Sequence, residues 1–370
     1  MGVGRSGAGD TREARAGTNS RVVGRARRIL LALLVAVAVV APLSAFARPQ
    51  IPAPAPAAPA RVTAATLEDT YAANRANAAE AARMAADHGE RQRAAADRAM
   101  AAPSRRFLSF DGRGAGQAVE VLGDLAHADR VAVLVPGSDT TLDTYDRFRA
   151  TATALRDRLD ETLDETETET ETETETETGA GAASRTRTAV IAWLGYETPR
   201  TVSTTVLTTG RAESAAPRLR AFIRELRGLV GRDARVSLLC HSYGSVVCAR
   251  AADTPDRADH PADQAGERVD DLVLVGSPGT GADSAAALHT SARVWAARGT
   301  GDWIADVPHT RADLFGITVG FGTDPVSPAF GARVFAAGDG GHSDYFRPGS
   351  VSLDNLARIV LGDTSEVTRA

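Results

Sequence analysis

The chain has 370 residues, 43% of them apolar, and a formal net charge of −5. A chain of this size can bury one large core, so we expect a single globular domain of about 250 residues or more, preceded by shorter segments. All 42 basic residues are arginine, which excludes a lysine-bearing phosphate loop and a lysine Schiff base. No basic patch is interleaved with aromatic residues, so we expect no nucleic-acid partner.

Residues 1–47 have the pattern of a secretory signal peptide. The basic segment GRARR precedes the apolar run Ile29–Ala41, and the small residues Ala45 and Ala47 suit cleavage by signal peptidase. The run is short for a membrane span, which needs about 20 residues, although an uncleaved anchor extending to Ala47 stays open as an alternative. We therefore expect a secreted or cell-envelope-associated protein, in contact with a membrane only if this segment is retained.

Two segments of unusual composition follow. Residues 48–64 are rich in proline and alanine, which predicts an extended linker without a core. Residues 65–102 are rich in alanine and predict a helical arm whose apolar stripe is thin. We expect this arm to be exposed to solvent or loosely docked; a partner-binding stalk is the alternative.

Residues 103–370 alternate between strand-like and helix-like segments. RFLSF and AVEVL flank the glycine-rich DGRGAG and predict a hairpin. Near-continuous apolar runs then follow, typical of strands that are buried on both faces: RVAVLVPG, AVIAWLGY, RVSLLCHS, DLVLVGSPG, ARVWAARG and ARVFAAG. Helical segments between them predict an α/β fold, with a mostly parallel central sheet flanked by helices.

A Glu-Thr repeat, at about residues 160–180, interrupts this alternation. It has almost no apolar face, and its like charges recur at every second residue and repel one another. We expect a disordered surface insertion with no chemical role.

Ser242 lies at a predicted strand-to-helix corner, in the sequence CHSYGS. The pattern resembles the G-x-S-x-G nucleophile elbow, in which small flanking residues allow a sharp turn. Gly244 fits the second small position, whereas Cys240 stands where the first glycine is expected. The alternative for Ser242 is an ordinary helix N-cap.

A serine nucleophile needs a base and an acid, which in this fold follow in the order Ser, Asp or Glu, His. His342 lies in a loop directly after the last predicted strand, and we predict that it is the base. Asp302, just beyond a strand end, is the favoured acid. Asp324, in a long loop before the last strand, is the competing candidate, and an ordinary turn aspartate is the alternative for both.

The oxyanion that forms during acyl transfer needs two amide donors. We expect them to be the backbone N–H groups of Tyr243, directly after the serine, and of Ser138, after the third strand. Gly137 would allow close approach there. Without that position in the fold, the PGS segment would be an ordinary turn.

Cys240 and Cys248 are the only cysteines of the chain. A strand at about 3.3 Å per residue and a helix folding back at 1.5 Å per residue bring the two positions level below Ser242. A disulfide is therefore predicted, and export would permit it. Two free, buried cysteines are the alternative.

Residues from about 106 to 363 resemble the α/β-hydrolase superfamily. The motifs VAVLVPG, AWLGYETP, CHSYGS, LVGSPGTG and GHSDYF are similar to those of a bacterial α/β-hydrolase-domain family. The resemblance implies a serine-hydrolase fold and triad, and it names no substrate. We expect hydrolysis of a small-molecule acyl ester, with no cofactor and no metal. A peptidase or an acyltransferase with the same triad, or a non-catalytic envelope binding module, stays open.

Overall fold

The computed structural model describes residues 51–57, 61–174, 186–252, 268–307, 309, 312–314 and 317–370. The predicted signal peptide lies outside these residues, as does the Glu-Thr segment from residue 175 onward. The described residues other than 202–204 belong to one compact unit.

The described part of this chain contains ten strands and six α-helices. The strands are β1 (Phe107–Asp111), β2 (Gln117–Gly123), β3 (Arg130–Val135), β4 (Thr188–Leu194), β5 (Arg235–His241), β6 (Asp271–Val275), β7 (Arg293–Ala297), β8 (Ala312–Leu314), β9 (Ile317–Val319) and β10 (Arg333–Val334). The helices are α1 (Leu67–Asp87), α2 (Arg91–Met100), α3 (Tyr145–Thr174), α4 (Gly210–Leu229), α5 (Gly244–Ala252) and α6 (Val351–Leu361).

Eight of these strands form a central sheet in the order β1-β2-β4-β3-β5-β6-β7-β10, and β8 pairs with β9 separately. The predicted β1–β2 hairpin is confirmed, and β2 is antiparallel to β4. The remaining neighbours are parallel. Every residue of β4 and β6 is buried, as expected for strands that helices cover on both faces.

Two apolar cores lie on opposite faces of the sheet. Side chains of α4 and α5 contribute to one core, and side chains of α3 and α6 contribute to the other. The parallel strands end together at one edge of the sheet, where the connecting loops can gather side chains from distant parts of the sequence.

The Ala-rich arm is packed, which contradicts the expectation of a loosely docked segment. Ala78, Ala81 and Ala85 of α1 are fully buried, and the amide of Asn74 donates to the carbonyls of Phe107 and Leu108 at 3.0 and 3.2 Å. Alanine adds little to an apolar stripe, but its small side chain allows a helix to approach a strand closely. A weak stripe was therefore a poor guide to burial.

The first part of the Glu-Thr repeat is helical, which corrects the prediction of a disordered insertion from residue 160. α3 continues to Thr174. Arg158 pairs with Glu161 and Glu165, so these two acidic side chains have a basic partner on the same helix. The buried side chains of Leu155 and Leu159 anchor the preceding turns. Residues 175–180 of the predicted insertion lie outside the described residues.

Candidate active site

Ser242 stands in the sharp turn between β5 and α5. Its φ of 55° lies in the left-handed region, which is uncommon for serine, and its amide donates to the Val275 carbonyl on the neighbouring strand at 3.0 Å. A Cβ at Gly244 would lie 2.5 Å from the Val135 carbonyl oxygen. Glycine is therefore required at this position, and the turn has the geometry expected of a nucleophile elbow.

Cys240 and Cys248 lie beneath this turn. Their Cα atoms are 6.4 Å apart, and their sulfur atoms are bonded in the structure. Both side chains are fully buried. The hydroxyl of Ser245 also donates to the Cys240 carbonyl, at 3.1 Å. The cysteine at the usual glycine position thus faces α5 and does not line the cavity above Ser242.

His342 connects Ser242 to Asp302. Its Nε2 lies 2.9 Å from Ser242 Oγ, and its Nδ1 lies 2.9 and 3.1 Å from the two carboxylate oxygens of Asp302. Ser242 and Asp302 are nearly buried, with 8% and 3% of their surfaces exposed. Three residues spread over about a hundred positions of sequence therefore form one hydrogen-bonded chain.

Asp324, the competing acid, does not contact His342. Its carboxylate pairs with Arg298 and lies 3.8 Å from Nε2 of His309. The geometry therefore favours Asp302, whose position directly after β7 brings it to the carboxyl edge of the sheet.

Asp302 is held by more donors than the sequence indicated. The Ile304 amide donates to it at 2.8 Å, and the Tyr345 hydroxyl donates to Oδ2 at 2.5 Å. Burial would raise the pKa of Asp302, but the hydrogen bonds from His342, Tyr345 and Ile304 outweigh burial and lower this pKa below its ordinary value. The carboxylate form of Asp302 is thus favoured in the folded protein.

Sequence reasoning assigned no role to Tyr345, although it lies in the quoted GHSDYF motif. The ring is 3% exposed, and its hydroxyl also accepts a hydrogen bond from the Gly299 amide at 3.1 Å. Burial, followed by the bond to Asp302, raises the pKa of the phenol well above its ordinary value. A tyrosine three residues after a candidate base is only a weak signal of a role in the site, because many buried tyrosines only fill space in the core.

His241 supports the other side of His342. Its Nε2 donates to the backbone carbonyl of His342 at 2.6 Å, and the two rings have centroids 4.8 Å apart. Burial, reinforced by the neighbouring His342, lowers the pKa of His241 to about 4. His241 is thus neutral at physiological pH, and it anchors the loop that carries His342 without contributing a charge.

The two predicted oxyanion donors flank Ser242. A Cβ at Gly137 would lie 2.6 Å from Ser242 Cβ, so the loop after β3 passes directly beside the serine. Ser138 and Tyr243 both line the cavity above Ser242. Within the described residues, neither of their amides donates a hydrogen bond. Both N–H groups are thus available to a ligand oxygen.

A cavity of about 710 Å³ opens above the Ser242 hydroxyl. Its walls are mainly apolar, and the half-exposed ring of Trp303 covers His342, with ring centroids 4.7 Å apart.

In the described part of the chain, no cluster of three or more His, Cys, Asp or Glu residues could hold a metal ion. Within the same residues, none of the helices combines the length and the apolar character of a membrane span.

Comparison with known proteins places the chain in a family. The sequence profile of the alpha/beta hydrolase family matches residues 111–312. The uncharacterized proteins Rv2079 and MT2140 of two Mycobacterium tuberculosis strains are each 28% identical to this chain over an alignment of 284 residues, which covers 69% of the chain. The match spans only 38% of the length of these relatives.

Two solved esterase structures are similar to parts of this chain at low sequence identity. Esterase PE8 is 16% identical, with a TM-score of 0.36, and the match covers 65% of this chain and 96% of that one. Esterase LipW from Mycobacterium marinum is 13% identical, with a TM-score of 0.38, and the match covers 78% and 90%. The family profile covers more than half of the 370 residues, and the sheet has the predicted mostly parallel order. The chain therefore belongs to the alpha/beta hydrolase family.

Proposed function

We propose that the protein is an exported serine hydrolase that cleaves an acyl ester by means of Ser242, His342 and Asp302. The observation that carries this proposal is the position of His342, whose two ring nitrogens contact Ser242 Oγ and the Asp302 carboxylate, at 2.9 Å each. A general base must reach both the nucleophile and the group that orients it, and few surface histidines do so.

The proposed reaction proceeds through an acyl-enzyme. Ser242 Oγ attacks the ester carbonyl carbon while its proton passes to His342 Nε2, and the amides of Ser138 and Tyr243 bind the developing oxyanion. When the carbon–oxygen bond to the alcohol breaks, the leaving oxygen takes the proton from His342. Water then attacks the acyl-enzyme by the same route and releases the acid and free Ser242. Asp302, whose pKa is lowered, stays ionised and stabilises the imidazolium.

An ester fits the site better than a peptide does. The walls of the cavity are mainly apolar, and they offer few partners for the repeated amide groups of a peptide, whose burial without hydrogen bonds is costly. An acyltransferase would use the same acyl-enzyme with an alcohol in place of water. Product analysis with and without added alcohol separates these two reactions.

Labelling with a fluorophosphonate probe tests the nucleophile. We expect the wild-type protein to be labelled and to hydrolyse an activated ester, and we expect Ser242→Ala to lose both properties. His342→Ala should lose nearly all turnover because the triad acts as a unit. His127→Ala is the matched control, since its side chain is 62% exposed and pairs, among the described residues, with Asp124 alone. Retention of more than about a tenth of the rate in Ser242→Ala would contradict the mechanism.

Export is the second part of the proposal, and it rests on the pattern of residues 1–47. We expect the mature protein in the culture medium or cell envelope to begin after Ala47. Edman sequencing of protein expressed with its own N-terminus measures this directly. An intact N-terminus in the membrane fraction would favour the uncleaved anchor, and an intact N-terminus in the soluble fraction of the cell would contradict export.

A further inference from the structure

The mouth of the cavity exposes apolar side chains to water. Four large apolar side chains of the described residues are strongly exposed, and two of them, Leu207 at 49% and Trp303 at 51%, line the cavity. The other two are Val202 and Val351. Single exposed apolar residues need no explanation, whereas two that line one cavity are suited to contact an apolar ligand.

Further apolar side chains line this cavity. Val206, Pro278 and Phe321 line the same cavity as Leu207 and Ser242. A volume of about 710 Å³ is within the range for drug-sized ligands, and an acetyl group would leave most of it empty. A polar substrate group in this part of the cavity would lose its hydrogen bonds to water without replacement. The walls therefore suit a hydrocarbon chain.

The chemistry of the triad determines where the acyl part and the alcohol part of the ester lie in the cavity. His342 must protonate the leaving alcohol, so the alcohol part lies beside His342 and the Trp303 ring that packs on it. The acyl part then lies on the side of Tyr243. Three contacts join Leu207 and Phe321 to that side. The Tyr243 hydroxyl donates to the carbonyl of Thr208, the neighbour of Leu207, at 2.7 Å, and the Phe321 and Tyr243 rings have centroids 5.8 Å apart. The amide of Gly320, the neighbour of Phe321, donates to the Leu207 carbonyl at 2.9 Å.

We propose that the site selects esters of an apolar carboxylic acid much longer than acetic acid, whose hydrocarbon chain contacts Phe321, Val206 and Leu207. Trp303 contacts the alcohol part and has no role in the selection of acyl length. This inference rests on the proposed ester hydrolysis, because it uses the direction in which His342 delivers its proton.

The test compares p-nitrophenyl acetate, butanoate and octanoate, each below its aggregation concentration. Each buried methylene should raise kcat/KM by up to about fourfold, so we expect at least a tenfold rise from acetate to octanoate. In Leu207→Gln, the octanoate-to-acetate ratio of kcat/KM should fall by at least about threefold, because the end of the longer chain loses an apolar contact. In Trp303→Ala, the rise with acyl length should persist even if all rates fall.

Val351→Gln is the matched control, because Val351 is 44% exposed and lies on α6 outside the cavity. It should keep the wild-type chain-length profile. A flat or falling profile in the wild type, or an unchanged profile in Leu207→Gln, would overturn the inference.

Inactivation rates with a short-chain and a long-chain alkyl fluorophosphonate provide a second measurement that needs no turnover. Faster inactivation by the long chain, reduced in Leu207→Gln, supports the inference, and equal rates in the wild type contradict it. Hydrolysis that depends on Ser242 but not on acyl length would refute only this inference. Loss of all Ser242-dependent hydrolysis and labelling would refute the proposed function as well.

Discussion

Tyr345 connects the loop after β7 to the loop that carries His342. Its hydroxyl accepts from the Gly299 amide and donates to Asp302, so a single buried group fixes the carboxylate relative to the sheet. We regard Tyr345 as a positioning residue, because its hydroxyl contacts the carboxylate of Asp302 and not the hydroxyl of Ser242.

Replacing Tyr345 by phenylalanine removes this hydrogen bond without removing the ring. We expect kcat to fall by about tenfold with KM nearly unchanged, because a hydrogen bond to a charged group contributes about 1.5–3 kcal/mol and Asp302 keeps its other donors. Steady-state kinetics measures the effect. Tyr71→Phe is the control, a tyrosine that is equally buried but lies in α1. Equal kcat values for Tyr345→Phe and Tyr71→Phe would show that the hydroxyl has no positioning role.

Asp97 is a buried carboxyl group outside the site. It is 1% exposed, and neither oxygen has a hydrogen-bond partner in the described residues. Burial raises its pKa to about 7; the charge of Arg93 opposes this rise and that of Asp143 adds to it. The unfolded chain has the ordinary pKa of about 3.9. The contribution of Asp97 to the free energy of unfolding is therefore complete below about pH 4, and it is lost as the pH rises through 7.

Asp97→Asn should remove this pH dependence. We expect the variant to gain about 2 kcal/mol more in the free energy of unfolding at pH 8 than at pH 5, relative to wild type. Urea denaturation at both pH values measures the difference. Asp339→Asn, at a side chain that is 95% exposed, should show no such effect. A stabilisation that is equal at both pH values would contradict the raised pKa.

At the scale of elements, α2 is attached to the fold by Arg93. The side chain is 2% exposed and pairs with Asp143 at 2.8 Å. It also donates to the carbonyls of Gly112 and Gly114, at 3.0 and 3.1 Å. One arginine thus joins α2 to the β1–β2 turn and to the segment that leads into α3.

Arg93→Met keeps the length of the side chain and removes its charge. We expect the free energy of unfolding to fall by about 3 kcal/mol, because removing one partner of a buried ion pair leaves the other groups unsatisfied. Chemical denaturation measures the loss. Arg83→Met on α1 is the control: its exposed guanidinium pairs with Glu80, and the melting temperature should not change. Equal effects of both substitutions would show that α2 docks without Arg93.

The predicted disulfide would join β5 to α5 directly below the elbow. The bond closes a short loop between two cysteines that are eight positions apart. On the chain-entropy model it should contribute about 2–3 kcal/mol to the free energy of unfolding. We expect the exported protein to show no alkylatable thiols after denaturation without reductant, measured by intact mass. Cys240→Ala/Cys248→Ala should be less stable by that amount, with Ser242 still labelled. Two alkylatable thiols after this denaturation without reductant would refute the disulfide.

At the scale of the whole molecule, the helical arm and the sheet share their cores. Leu67 and Tyr71 belong to the core that contains α4 and α5, while Ala78 and Met100 belong to the core that contains α3 and α6. We therefore expect a single cooperative unfolding transition, with calorimetric and van't Hoff enthalpies that agree. A separate early transition, with proteolysis near Gly89 that leaves residues 103–370 folded, would contradict this.

The fold was predictable because its signals are local. Apolar runs of strand length, separated by helical segments, depend only on neighbouring residues, and they predicted the parallel sheet that the structure shows. Two predictions were wrong, the loosely docked arm and the disorder from residue 160, because neighbouring residues do not determine which side chains a helix buries or pairs. The alanines of α1 looked weakly apolar, although a close approach to β1 buries them, and the charges after Asp160 looked repulsive, although Arg158 pairs with two of them.

The sequence by itself determined the order of strands and helices and the candidates Ser242 and His342, because chain order and a short turn motif are properties of the linear chain. Only the tertiary structure decided between Asp302 and Asp324 as the partner of His342. It alone brought Tyr345 and His241 to the same place and assembled the apolar wall that includes Leu207. These contacts join residues far apart in sequence. They depend on how loops meet at the carboxyl edge of the sheet, which no local pattern encodes.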